Sequence, residues 1–172
     1  MKTKTIKLYR FKELKKDIQK KVLEKFRQDE DFYFLEELIK ENLEETLKEN
    51  KIAVLNNLGL RYSLSYCQGD GLSITGLFKW KDFYIKIENN SRYAHKYNTE
   101  IYIYKPCSIE GEKEAEQKVY DKFKEIYYKI CDDLEKYGYA LIEDALKDEN
   151  IKENIEINDY YFTKEGRIES LN

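Results

Sequence analysis

Hydrophobic and polar positions change period several times along the chain. Residues 3–11 alternate: Ile6 and Leu8 fall on one side, Lys7 and Tyr9 on the other, the period of a half-buried strand. Leu14, Ile18, Val22 and Phe26 then recur every fourth residue, which predicts an amphipathic helix. A second helix is expected near 31–50, with Leu35, Leu38, Ile39, Leu43 and Leu47 as its apolar stripe. Leu58-Gly59 is read as its end, with Gly59 as a left-handed cap.

Alternation returns at 60–68, with Tyr62, Leu64 and Tyr66 on one face and Arg61, Ser63, Ser65 and Cys67 on the other. Gly69-Asp70-Gly71 signals a tight turn. Residues 72–78 bring Leu72, Ile74, Gly76 and Phe78 back to the buried face. Strands are expected at 82–88, with Phe83, Ile85 and Ile87 inward, and at 99–105, with Ile101 and Ile103 inward. A polar connection, 89–98, joins them. Ala115, Val119, Phe123, Ile126, Ile130, Leu134, Leu141 and Ala145 keep helical spacing through about 112–147, with Gly138 as a candidate break. Tyr160 to Ile168 reads as a closing strand with a turn at Lys164-Glu165-Gly166. The order β-α-α-β-β-β-β-α-β, without repeats or a linker, implies one α+β domain over 1–172. It would hold an antiparallel sheet of about five to six strands with helices packed on one face.

Composition narrows the class. At 41% hydrophobic and 38% charged, the chain is too apolar for disorder and too charged for a membrane protein. It contains no apolar run of the ~18 residues needed for a transmembrane helix. Its first residues lack the apolar stretch of a signal peptide, so a cytoplasmic location in a bacterial host is expected. Abundant Lys, Glu, Ile, Asn and Tyr with a single proline point to AT-rich coding, as in a low-GC bacterium or its phage. The net charge of −3 hides a division: residues 1–27 carry 11 basic and 3 acidic side chains, residues 112–172 carry 10 and 17. The basic segment either addresses a phosphate-rich partner or faces the chain's own acidic helices.

Candidate chemistry is sparse. Cys67, Cys107 and Cys131 are odd in number, widely spaced and without a CxxC pair, so buried thiols are expected rather than a disulfide framework or zinc site. His95 is the single histidine, and no Cys/His cluster stands near it in sequence to complete a metal site or a base. Gln68, Gly69, Asp70 and Gly71 form a turn that can present backbone N–H groups to an anion, but the Gly-Lys-Ser/Thr of a phosphate loop is missing. Ser63, Ser65, Ser73 and Thr75 beside Tyr84, Tyr102 and Tyr104 suggest a recess with ring faces on the outward side of the sheet. Arg92, Tyr93, Lys96 and Tyr97 make the 91–97 connection a candidate for contact with an anion or a partner. No catalytic residue, cofactor or metal ligand is assigned.

Ile6 to Leu14, Tyr62 to Gly76 and Tyr160 to Ile168 together resemble a family of small phage and prophage proteins. Some of these carry the label "antitoxin of toxin–antitoxin stability system". Residues 66–71 carry the most specific part of the resemblance, and 79–110 add nothing to it. The family supplies no catalytic residues. The resemblance implies a non-enzymatic binding protein that disarms host immunity, its partner a host defence protein or complex, or a signalling nucleotide. An antitoxin that neutralises a toxin, a nucleic-acid-binding accessory protein using residues 1–27, and a small hydrolase or transferase are the alternatives. Exposed tyrosines would also allow a homodimer, and no membrane partner is expected.

Overall fold

A computed structural model describes residues 6–107, 111–114 and 117–169; the side chains of 106, 107 and 111–114 are not described. The fold is α+β and antiparallel, and it divides into two compact units, Met1–Tyr33 with Leu141–Asn172, and Phe34–Ala140.

The larger unit begins with helix α2 (Leu35–Glu49); helix α1 (Lys16–Asp29) belongs to the other unit. Leu35, Ile39, Leu43 and Leu47 are buried at four-residue spacing. Glu36 and Glu37 in the first turn and Lys48 in the last complement the helix dipole. The helix stops at Asn50, and Lys51 takes φ 56, so the chain reverses eight residues before Gly59. Gly59 is therefore not a helix cap but lies inside strand β1 (Ile52–Ser63). A Cβ there would stand 2.4 Å from the Thr75 hydroxyl. The run Ile52-Ala53-Val54-Leu55, read from sequence as helix, is strand because β-branched and apolar residues follow a completed helix end.

Strands β1, β2 (Gly71–Trp80), β3 (Phe83–Glu88) and β4 (Glu100–Cys107) form an antiparallel meander, and β5 (Gly111–Glu114) extends it past β4. Register is continuous from β2 to β4: Phe78 opposes Ile85, and Ile85 opposes Ile103. Between β1 and β2 it shifts around Asn56 and Asn57. Gly76 sits opposite this irregularity with φ 141, where a Cβ would be 2.9 Å from the Asn57 carbonyl oxygen. Leu72, Ile74, Phe78, Ile85, Ile87, Ile101 and Ile103 are buried, as their alternation predicts; Gly76 serves the bulge instead.

Helix α3 (Gln117–Ala145) starts later than expected, because 111–114 are strand; Ala115 lies outside the described residues. It runs through Gly138 without a break. Gly138 is a packing site: a Cβ would be 2.5 Å from Leu64 Cδ1 and 3.1 Å from Ile39 Cδ1. Up to Ala140 the helix belongs to this unit, where Phe123, Tyr127 and Ile130 meet Ile74, Phe78 and Ile87 together with Leu47 of α2. The helices thus cover the face of the sheet that carries the isoleucines.

The smaller unit holds α1 (Lys16–Asp29), α4 (Asp148–Ile157) and the hairpin β6 (Tyr161–Phe162) and β7 (Ile168–Glu169). Its core is Phe11, Leu14, Val22, Leu23, Ile151, Ile155 and Phe162. Within 3–11, where a strand is expected, residues 3–5 lie outside the described residues. The remainder keeps one bridge, Tyr9 to Phe162, before a 3-10 turn at Phe11–Glu13. The strands consequently form two sheets rather than the expected one. Helix α4 has no counterpart among the expected elements, although Ile151 and Ile155 mark its buried side. Arg10 pairs with Asp159, Lys12 with Glu156 and Arg27 with Asp148. These cations of the basic N-terminal segment therefore face the chain's own acidic C-terminal segment.

Candidate functional site

The connection between β1 and β2 spans Leu64 to Asp70, so Gly69-Asp70-Gly71 is the end of a seven-residue loop rather than a two-residue turn. The loop is built around one carboxylate. Asp70 accepts from the backbone N–H of Ser65 (2.6 Å) and of Cys67 (3.0 Å), from the Ser63 hydroxyl (2.9 Å), from the Cys67 thiol (3.2 Å) and from the Tyr139 hydroxyl (2.6 Å). Burial alone would raise the Asp70 pKa; these donors outweigh it and hold the carboxyl far below its usual range. Desolvation and the bond to Asp70 push the Tyr139 phenol up. An anion does sit among the backbone N–H groups of this loop, but it belongs to the protein. The N–H groups of Ser65 and Cys67 are thereby taken by the protein's own carboxylate. Gln68 and Gly69 are exposed beside it and make no part of this network. Cys67, expected buried, is exposed, and its thiol is raised first by the bond to Asp70.

The candidate partner residues separate into three places. Tyr84, Tyr102 and Tyr104 come together on the outward face of β3 and β4: Tyr84 opposes Tyr104, and Tyr102 opposes Lys86. The Tyr102 hydroxyl donates to Glu100 (2.6 Å), and Lys86 Nζ lies 2.8 Å from Glu88 and 5.9 Å from the Tyr102 ring centroid. Leu77 is exposed on the same face, opposite Lys86. The recess expected beside these rings is filled in part. Ser73 is fully buried, its hydroxyl accepting from the Asn89 side chain at 3.0 Å, and Ser65 lies in the β1–β2 loop. What stays open is a depression of about 490 Å³ walled by Asn56, Arg61, Thr75, Lys86 and Asn89, among others.

Arg92 and Tyr93 lie elsewhere, on the segment that crosses Arg61. The Arg61 guanidinium donates to the carbonyls of Asn89 (3.2 Å), Ser91 (2.9 Å) and Arg92 (3.3 Å). Arg92 stacks on Tyr93 with 4.7 Å between guanidinium carbon and ring centroid. Lys96 is not a free contact cation: it is buried, paired with Asp132 of α3 and set near the rings of Tyr97 and Tyr128. Burial alone would lower its pKa; the Asp132 bond raises it past its ordinary value. Tyr97 is exposed and lies against Tyr128 and His95, on the helix side of the sheet. His95 opens the 3-10 turn Lys96–Asn98, its Nδ1 accepting from the Tyr97 N–H, and its ring fills the space above Gly71. That is a packing and capping role.

Tyr127 and Cys131 of α3 lie in the interior. The Tyr127 hydroxyl donates to the Ile74 carbonyl and accepts from the Ile74 N–H, and burial raises it well above an ordinary phenol. Cys131 is fully buried, and desolvation pushes its thiol up to about 12. The Cys107 side chain lies outside the described residues. Among the described residues no group of three or more His, Cys, Asp or Glu could hold a metal ion, and no helix is long and apolar enough to cross a membrane. Comparison with protein-family models, curated proteins and solved structures finds no match to the chain.

Proposed function

We propose that the chain acts by binding a protein partner through the outward sheet face of Tyr84, Tyr102 and Tyr104, with Leu77 and Lys86 at its margin, and that it carries out no reaction of its own. The supporting observation is the contrast between the two faces. Helices bury the isoleucine face, while three aromatic rings and Leu77 remain on the other, on an antiparallel sheet. Tyrosine side chains combine large apolar area with a hydroxyl and lose little conformational entropy on docking, which is why they concentrate binding energy. The titratable groups of unusual environment, Asp70, Tyr127, Cys131 and Lys96, are each engaged by the protein itself.

The resemblance to phage and prophage proteins supplies the context: the partner is a host defence effector, and occupation of that effector is the mode of action. Pull-down from host lysate with the Tyr102→Ala/Tyr104→Ala double variant tests the surface. Capture of a defined partner by the parent chain, reduced at least tenfold in the variant, is the expected result. Equal capture by both would remove this face from consideration.

A further inference from the structure

We propose that the depression between Arg61 and Arg92 is a binding site for a nucleoside phosphate. It lies within the larger unit and has a volume of about 400 Å³, with Arg61, Arg92, Tyr62 and Tyr93 in its wall. That is a size suited to a small ligand rather than a folded partner.

The first observation is charge. Lys86 pairs with Glu88, Lys40 with Glu36 and Lys96 with Asp132, but among the described residues no carboxylate pairs with Arg61 or Arg92. Two guanidinium groups on one depression, neither of them paired with a carboxylate among the described residues, form a site of positive potential. Glu36, the one carboxylate in the wall among the described residues, is held by Lys40 Nζ at 2.5 Å, which offsets its charge.

The second observation is order. Three main-chain carbonyls use three of the five N–H groups of Arg61 and fix the plane of its guanidinium, leaving two donors for a ligand. A fork held in advance loses little entropy on binding, and its geometry matches two oxygens of a phosphate. Arg92 is likewise held, by stacking on Tyr93 and by donating to its hydroxyl.

The third observation is aromatic. Tyr93 is exposed, with Arg92 stacked over its ring, and Tyr62 stands in the same wall. An anion alone would not use these rings; a base carried by the phosphate would stack on them. Phosphate on the arginines and base on Tyr93 together specify a nucleotide, either free or at the end of a nucleic-acid strand.

Calorimetric titration of the full chain at low ionic strength with AMP, inorganic phosphate and a short single-stranded oligonucleotide tests this. The expected result is one saturable site for AMP, weaker binding of inorganic phosphate, and loss of about tenfold or more in affinity with Arg92→Ala or Arg92→Gln. Tyr93→Ala should weaken AMP and leave inorganic phosphate unchanged. Thermal melts of each variant verify that the fold persists. Tighter binding of the oligonucleotide than of AMP identifies a nucleic-acid end as the source; equal or weaker binding identifies a free nucleotide. Absence of saturable binding for both, or saturation unchanged in both Arg92 variants, overturns the site and assigns Arg61 to pinning residues 89–92. The tyrosine face is unaffected by that outcome, since its own test is capture of a protein partner.

Discussion

Asp70 is the residue whose removal carries the clearest signature. Five donors converge on it, two of them backbone N–H groups that would lose their partner in Asp70→Ala. Charge-assisted bonds of this kind contribute ~1.5–3 kcal/mol each at best and overlap in a cluster, so a loss of ~2–3 kcal/mol is expected in urea melts. The carboxyl pKa is depressed on folding, so its contribution is complete above the unfolded value of about 3.9 and declines as pH falls below it. Asp70→Asn should accordingly flatten the acid limb of the stability–pH curve; an unchanged limb would assign the acid sensitivity to other carboxylates. Thiol chemistry offers a second measure. Cys67 is exposed and should be alkylated in the native protein, at a rate that increases in Asp70→Asn as the bond raising its pKa is lost. Cys131 should stay unmodified until unfolding. Peptide mapping after iodoacetamide treatment reads both.

Among the elements, β2 depends on Gly76. Its φ of 141 and the carbonyl of Asn57 2.9 Å from a notional Cβ leave no place for a side chain, so Gly76→Ala should cost ~1–3 kcal/mol in chemical denaturation. At Gly138 the same change meets the ends of Leu64 and Ile39, which can move, and gains up to ~1 kcal/mol of helix propensity; a near-neutral result is expected. How far such features can be read from the chain depends on their range. Stripes such as Leu35-Ile39-Leu43-Leu47 and alternations such as Phe83-Ile85-Ile87 are local, and α1, α2, α3 and the inner strands are legible from them, whereas the short α4 is not. Gly59 resembles a helix cap by residue type alone, but the chain reverses at Asn50-Lys51, where Lys51 takes the left-handed conformation without a glycine. The filled recess at Ser73 was illegible because it depends on Asn89, sixteen residues away, and on Arg61 reaching the carbonyls of 89–92. Lys96 looked like a surface cation because its partner, Asp132, lies on a helix distant in sequence.

At the scale of the whole molecule, each of the two compact units buries aromatic side chains of its own among the described residues. Phe162 is fully buried in the smaller one, where it makes an edge contact with Phe11 at 6.3 Å, and Phe123 is buried in the larger, 5.4 Å from Trp80. Either residue changed to Ala should cost ~3–5 kcal/mol. Hydrogen exchange should show the loss of protection greatest in the unit that holds the substitution. Uniform loss across both units from each change would instead mark one cooperative body. The charge division visible in the sequence is used at this scale: Arg10, Lys12 and Arg27 are matched to Asp159, Glu156 and Asp148.

A loop that carries its own anion has a further property. If the carboxylate of residue 70 were cut away, the donors it gathers would be left around a vacant, anion-shaped space, and a small carboxylate from solution would be the natural replacement. Formate or acetate at tens of millimolar should restore part of the melting temperature lost by Asp70→Ala, and chloride at equal ionic strength should not.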